Sequence, residues 1–205
     1  MRPLTIVLLI VFYQMCCAQN ADLPSDFLSS TFHKERRVQL RERLSPNSVA
    51  VFFANAVRNR ANDVDFPYHQ NPDFYYLTGY KEPDAVLLIF KDKQTASTGA
   101  QYDEIIFVQP RNSMAEMWTG RRLGDAGVRE QLGFELAFNN KEFKKYNIDF
   151  SKFDEVLFHE FQNDIRNDPR DSSDLFDLIS QFKVKANFQE KSALTLAVRI
   201  ILCTF

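Results

Sequence analysis

Glycine is scarce, at 6 of 205 residues. Few glycine-dependent loops and no glycine-rich phosphate cradle are therefore expected. Histidine occurs only as His33, His69 and His159, and no Gly-x-Ser-x-Gly turn is present, so a serine-hydrolase triad has no signature. A basic excess is also missing: 25 Lys plus Arg stand against 27 Asp plus Glu, a formal net charge of −2. Neutralising the phosphates of a nucleic acid needs the opposite balance, so DNA and RNA are disfavoured as partners. Internal repeats and low-complexity linkers are not found. What is abundant is phenylalanine, with 20 residues in a chain that is 45% hydrophobic and 25% charged. Those proportions fit a globular chain with a packed core, and the length suits one ordinary domain.

Long hydrophobic runs are lacking too. Leu4 to Phe12 is too short to cross ~30 Å of hydrocarbon as a helix, so no stable membrane span is expected. The run follows Arg2 and precedes Cys16-Cys17-Ala18-Gln19, the order of a secretory signal peptide. Cleavage after Ala18 and a secreted or periplasmic location are the expectation. It would remove Cys16 and Cys17 and leave Cys203 alone, without an intramolecular disulfide. The expected organisation is a signal peptide over 1–18, a polar leader over 19–31, one domain over 32–185 and an atypical tail over 186–205.

Within that domain, Phe32 to Leu44 reads as a charged surface helix stopped by Ser45-Pro46. Val49 to Ala54, Ala85 to Phe90, Glu104 to Val108 and Glu155 to Phe161 read as short, doubly buried strands. Asp125 to Leu132 reads as a helix with Gly133 just past its end. Leu175, Leu178, Ile179 and Phe182 repeat at helical spacing behind Asp171-Ser172 as a cap. Strands and helices alternate, which assigns the α/β class with a largely covered sheet.

Candidate chemistry is sparse. His33 is expected to be solvated on the charged helix and His159 to pack within a strand. Asp63, Asp65 and His69 are the right donors for a divalent ion in one polar loop, but pairing of the aspartates with Arg58 or Arg60 is the preferred reading. Arg121 and Arg122 follow Trp118-Thr119-Gly120, and a guanidinium pair beside an indole could clamp a carboxylate or another chain. A surface turn with intramolecular ion pairs is the alternative. Phe74, Tyr75, Tyr76 and Tyr80 are amphipathic rings that either face an interface or form an internal cluster. Gly79, after this aromatic run and ahead of Pro83, stands where the chain would bend between two strands.

The stretch Arg60-Ala-Asn-Asp63, Tyr68-His69-Gln70-Asn71, Asp73-Phe74-Tyr75-Tyr76-Leu77-Thr78-Gly79-Tyr80 and Glu82-Pro83-Asp84-Ala85 strongly resembles the N-terminal domain of Xaa-Pro aminopeptidase (aminopeptidase P). The likeness extends back to Arg36-Arg37 and Ser48-Val49-Ala50-Val51 and forward to Glu116-Met117-Trp118-Thr119-Gly120-Arg121-Arg122-Leu123-Gly124, covering about residues 32 to 160. One departure is His69, where relatives usually carry arginine.

The resemblance implies a single three-layer α/β domain of the creatinase/aminopeptidase type, with a mixed, mostly buried sheet flanked by helices. It implies a second, pita-bread domain in the complete enzyme, where two Asp, one His and two Glu hold a pair of manganese ions and a residue preceding proline is released from short peptides. No catalytic or metal-binding residue and no cofactor is expected in this chain. The implied partners are that catalytic domain or full-length homologous subunits, with Tyr75, Tyr76, Trp118, Arg121 and Arg122 as candidate interface or substrate-cleft residues. Residues 191–205 carry no Asp, Glu or His, and the nearly all-apolar stretch from Ala193 onward is expected of a truncated or frame-shifted chain. A terminal element docked on the domain is the alternative, and with it a free-standing binding or oligomerisation module.

Overall fold

Helix α1 (Ser30–Arg43) starts behind Ser29, whose hydroxyl accepts from the Phe32 N–H at 3.1 Å and so satisfies one of the otherwise unpaired first-turn donors. The chain continues through β1 (Ser48–Phe53), a small hairpin of β2 (Asn59–Ala61) and β3 (Val64–Asp65), α2 (Pro72–Thr78), β4 (Val86–Thr95), β5 (Gln101–Val108), α3 (Ser113–Thr119), α4 (Gly124–Leu132), β6 (Ala137–Asn139), β7 (Glu155–Phe158) and α5 (Leu175–Lys185). This computed structural model describes residues 28–96, 99–159, 161, 165–169 and 172–188. The expected signal peptide, most of the leader, Asp171, Cys203 and the apolar tail lie outside them.

The main sheet has the order β6-β5-β4-β1-β7. β1 pairs antiparallel with β4 and parallel with β7, while β5 pairs antiparallel with β4 and parallel with β6. The sheet is therefore mixed, with its two shortest strands at the edges, where few unpaired backbone groups are left exposed.

Both faces are covered, and the period-two alternation of strand side chains decides which residue goes where. Ala50, Phe52, Leu87, Ile89, Ile106 and Val108 face one core with Leu40 of α1, Phe74 and Leu77 of α2 and Val128 of α4. Val49, Val51, Val86, Leu88, Phe90, Ile105 and Phe107 face a second core with Phe143, Phe150 and, from α5, Leu178 and Phe182. This double burial explains why the strands read as unbroken apolar runs. The result is the three-layer α/β arrangement expected from the resemblance.

Several local expectations need correcting. The aromatic run is a helix, α2, and Gly79 ends it rather than joining two strands. Asn71 Oδ1 accepts from the backbone N–H groups of Asp73 and Phe74, both at 3.0 Å, and Pro72 occupies the first turn, where its missing N–H costs nothing. Gly79 has φ +71°, and a Cβ there would lie 2.8 Å from the His33 ring, so only glycine fits. β7 stops at Phe158 instead of reaching Phe161. The cap of α5 is Asp174, whose carboxylate accepts from the Asp177 N–H at 2.8 Å, and not Asp171-Ser172.

His33 is the largest correction, since it is 1% exposed rather than solvated. Its Nδ1 lies 2.8 Å from the Tyr76 carbonyl, which only accepts, so the ring carries its proton on Nδ1. Burial holds its pKa below the ordinary 6.5, and the nearby Arg37 and Lys81 cations add to this against the opposing effect of the Tyr76 bond. The unfolded chain therefore binds a proton here at higher pH than the folded one. Stability is complete above about 6.5 and is lost as the pH falls below it. Urea midpoints measured between about pH 5 and pH 8 should show this slope, and His33→Gln should flatten it.

Candidate interaction face at one end of the sheet

The strand directions bring many of the motif residues to one end. With β1, β5, β6 and β7 running one way and β4 the other, the exits of the first four and the entry to β4 lie together. There the segment Glu82-Pro83-Asp84 acts as a tie. Glu82 Oε1 accepts from the Leu123 N–H at 2.7 Å, and Oε2 accepts from the Tyr80 hydroxyl at 2.9 Å. Burial, followed by the neighbouring Glu82 charge, raises the Tyr80 pKa well above its ordinary 10.0, so the phenol stays a donor. Asp84, at φ +53°, accepts from Gln109 Nε2 at 2.5 Å and from the Leu175 N–H at 2.9 Å, and its carbonyl accepts from Asn140 Nδ2 at 2.9 Å. One aspartate thus joins the exits of β5 and β6 to the start of α5. Aspartate tolerates this left-handed backbone better than most residues.

Gln70 completes the network. Its Oε1 accepts from the Asn55 N–H at 2.8 Å, the Tyr68 hydroxyl at 2.8 Å and the Asn71 N–H at 2.9 Å. Its Nε2 donates to the Tyr80 and Glu82 carbonyls at 3.2 and 2.8 Å. These polar motif residues hold the loops at this end together.

What stands clear of this framework is α3. It buries no residue, and Met114, Met117 and Trp118 are 71%, 72% and 89% exposed. Its frame is nevertheless fixed. Asn112 Oδ1 accepts from Met114 N–H and Ala115 N–H at 3.0 and 3.1 Å, and Arg111 grips Glu116 through two bonds of 2.6 and 2.8 Å. The Arg111 guanidinium holds the Glu116 carboxyl below the usual carboxylate range. The hairpin leaves Val64 and Phe66 about half exposed as well. Val57 before the hairpin is 44% exposed too.

The other candidate residues separate by element. Tyr76 packs partly buried against the first core, edge-to-face with Phe32 at a ring-centroid separation of 5.5 Å. Tyr75 is half-buried, 5.4 Å from the His33 ring and 5.9 Å from Lys81 Nζ. Arg121 is exposed and Arg122 half-buried beyond Gly120, which has φ +85°. Asp65 accepts from Asn59 Nδ2 at 3.1 Å, so it serves the hairpin, and the His69 carbonyl accepts from Asn55. Among the described residues no group of three His, Cys, Asp or Glu is placed to hold a metal ion, and the residues present do not fit a manganese pair. No helix among them is long and apolar enough to cross a membrane. His159 lies beyond the end of β7, with Nε2 3.2 Å from Asp73 Oδ2 and its ring centroid 5.8 Å from that of Phe52. The Nε2 contact lacks hydrogen-bond geometry.

The ties at Gln70, Glu82 and Asp84 were not singled out from sequence as structural residues. For Glu82 and Asp84 the signal is polar side chains flanking Pro83 immediately ahead of the buried run that starts at Ala85, where backbone groups at a sheet end need partners; Gln70 carries no such mark.

Comparison with known proteins places this arrangement. The family model described as "Aminopeptidase P, N-terminal domain" matches residues 33–157. The Xaa-Pro aminopeptidase of Haemophilus influenzae is 37% identical over 110 residues, covering 54% of this chain and 24% of that protein. The Escherichia coli Xaa-Pro aminopeptidase is 35% identical over 126 residues, covering 62% and 27%. The solved structure of E. coli aminopeptidase P with the inhibitor Pro-Leu superposes with a TM-score of 0.57 at 31% identity, covering 67% of this chain and 30% of that one. The chain thus spans about a quarter of the length of these curated relatives. With the match running from α1 into β7 and the fold shared with a solved member, the chain belongs to the aminopeptidase P N-terminal domain family.

Proposed function

We propose that this chain supplies the non-catalytic N-terminal domain of an Xaa-Pro aminopeptidase. In this reading it covers the metal-bearing active site, restricts it to short proline-containing peptides and supports association of subunits. The manganese pair belongs to the catalytic domain, and the described domain alone is inactive. The observation that carries the reading is a hydrogen-bonded sheet end beside which α3 buries none of its residues among the described ones, in a domain matched from α1 into β7 by the family. Trp118, Arg121 and Arg122 belong to the contact with the catalytic domain or a neighbouring subunit, and Tyr75 and Tyr76 to the border of the substrate cleft. Secretion directed by residues 1–18 is part of the same proposal, and N-terminal sequencing of the exported chain should begin at Gln19.

The decisive assay incubates the purified chain with manganese and an Xaa-Pro peptide. No turnover above a metal-only blank is expected, and sustained turnover would overturn the non-catalytic assignment. Light scattering of the chain mixed with a full-length relative tests the rest. Co-elution supports a domain built to meet that enzyme, whereas a strictly monomeric, non-interacting chain removes the contact role.

A further inference from the structure

One edge of the main sheet is open at β7. This strand pairs with β1 on one side only. Parallel pairing engages alternate residues, so the others of Glu155–Phe158 turn their N–H and C=O groups outward. Among the described residues none bonds to these outward groups. Apolar surface is open beside the edge as well, since Val156, Phe161 and Phe188 pack on the second core but are only partly buried. The chain leaves α5 at this place, with the Phe188 ring centroid 5.3 Å from that of Phe158 and 5.7 Å from that of Phe161. A link over 189–193 reaches about 17 Å when extended, against the ~4.8 Å between neighbouring strands. After it comes Leu194-Thr-Leu-Ala-Val-Arg-Ile-Ile-Leu202, which lies outside the described residues. Its sequence carries the mark of β1, β4 and β5, a short apolar run rich in β-branched residues.

We infer that residues 194–202 supply a further strand of the main sheet, added parallel to β7 on its free edge. The topology of the rest of the sheet favours that position. β5 passes to its parallel outer neighbour β6 through α4, which packs on the first core through Val128. In this arrangement β7 passes to its own parallel outer neighbour through α5, which packs on the second core through Leu178 and Phe182. Half a turn of the sheet about its strand direction exchanges both its edges and its faces. The two crossovers therefore have the same hand, as parallel connections within one sheet almost always do. Such a connection needs about a dozen residues or more, which the chain from Phe158 to Leu194 supplies. The inference rests on sheet order and handedness rather than on the peptidase reading, so either can fail alone.

Amide exchange and interstrand NOEs of the isotope-labelled full chain test it. The amides of residues 194–202 and the outward amides of β7 should exchange at least about a hundredfold more slowly than an unstructured peptide. Ala197→Pro/Val198→Pro removes a ladder donor in either register and should speed both sets by about tenfold or more, with β4 and β5 unchanged. Val198→Ala should keep the protection. NOEs between the segment and Glu155–Phe158 should follow the parallel pattern. Exchange of 194–202 at the unstructured rate overturns the inference, as does protection that survives the double proline variant or leaves β7 unaffected. Antiparallel contacts overturn it too. Protection that disappears on dilution would assign the edge to a second copy instead.

Discussion

Replacing Glu104 with alanine is expected to destabilise the domain by about 3–5 kcal/mol, because it strands a buried cation. Arg37 is fully buried on α1. Its Nε and one terminal nitrogen donate to the two Glu104 oxygens, both at 2.9 Å, and its other terminal nitrogen donates to the Leu77 carbonyl at 2.9 Å. The guanidinium also lies over the Phe134 ring, 3.9 Å from its centroid. Without Glu104 only the carbonyl and the ring remain, in a site closed to water. Glutamine keeps one acceptor and should cost less. Arg41, which reaches the same Glu104 oxygen at 3.0 Å and Asp103 at 3.1 Å, sits nearer the surface, and Arg41→Ala should cost about 1 kcal/mol or less. The control that isolates the stranded charge is Arg37→Met with Glu104→Leu. If the pair itself were the main stabiliser, this apolar double variant would be as unstable as Glu104→Ala. Removal of both charges is expected to recover most of the loss in urea unfolding.

The second large effect is placed outside the family match, on α5. Phe182→Ala should cost about 3–5 kcal/mol through lost transfer energy and an unfilled cavity. The ring is fully buried and lies 5.2, 5.4 and 5.6 Å from the rings of Phe150, Phe158 and Phe53. It therefore welds α5 to β1, β7 and the turn before β7 at once. Two residues along are enough for the contrast: Val184, 82% exposed on the same helix, should change stability by no more than about 0.5 kcal/mol when cut to alanine. A Phe182→Ala protein as stable as Val184→Ala would mean that α5 is an appendage, and the domain would then end where the family match does.

The fold was legible where one force dominates. Doubly buried strands and the helix ending at Gly133 leave simple marks, an unbroken apolar run and a glycine at φ +70°. The aromatic run was misread because tyrosine and phenylalanine favour strands on average, while the outcome was decided by its ends, the Asn71 cap, Pro72 and Gly79. His33 and Arg37 were hidden for a related reason: on a charge-dense helix, composition says solvent, and only the partner across the fold says otherwise. Glu104 carried the clue, since a carboxylate opening a doubly buried strand needs a cation. The exposure of Trp118 fits its reading as an indole open to another chain, whereas that of Met114 and Met117 could not be foreseen from α3 alone, because methionines at such spacing look like core. Exposure there is a property of what the rest of the domain leaves uncovered.

The place of β1 has a consequence in time. It is a central strand, yet its partner β7 comes from the far end of the domain's sequence, with Ser48 opposite Glu155 and Val51 opposite Phe158. A parallel pairing of such separation closes late, since loop entropy opposes it until neighbouring contacts are in place. As the chain emerges from a ribosome, the hairpin-like β1, β4 and β5 can assemble first, and one flank of β1, apolar on both faces, waits unpaired until β7 arrives. That interval is when this domain is most exposed to aggregation, and its length is set by the polypeptide between β5 and β7 rather than by the stability of the finished sheet.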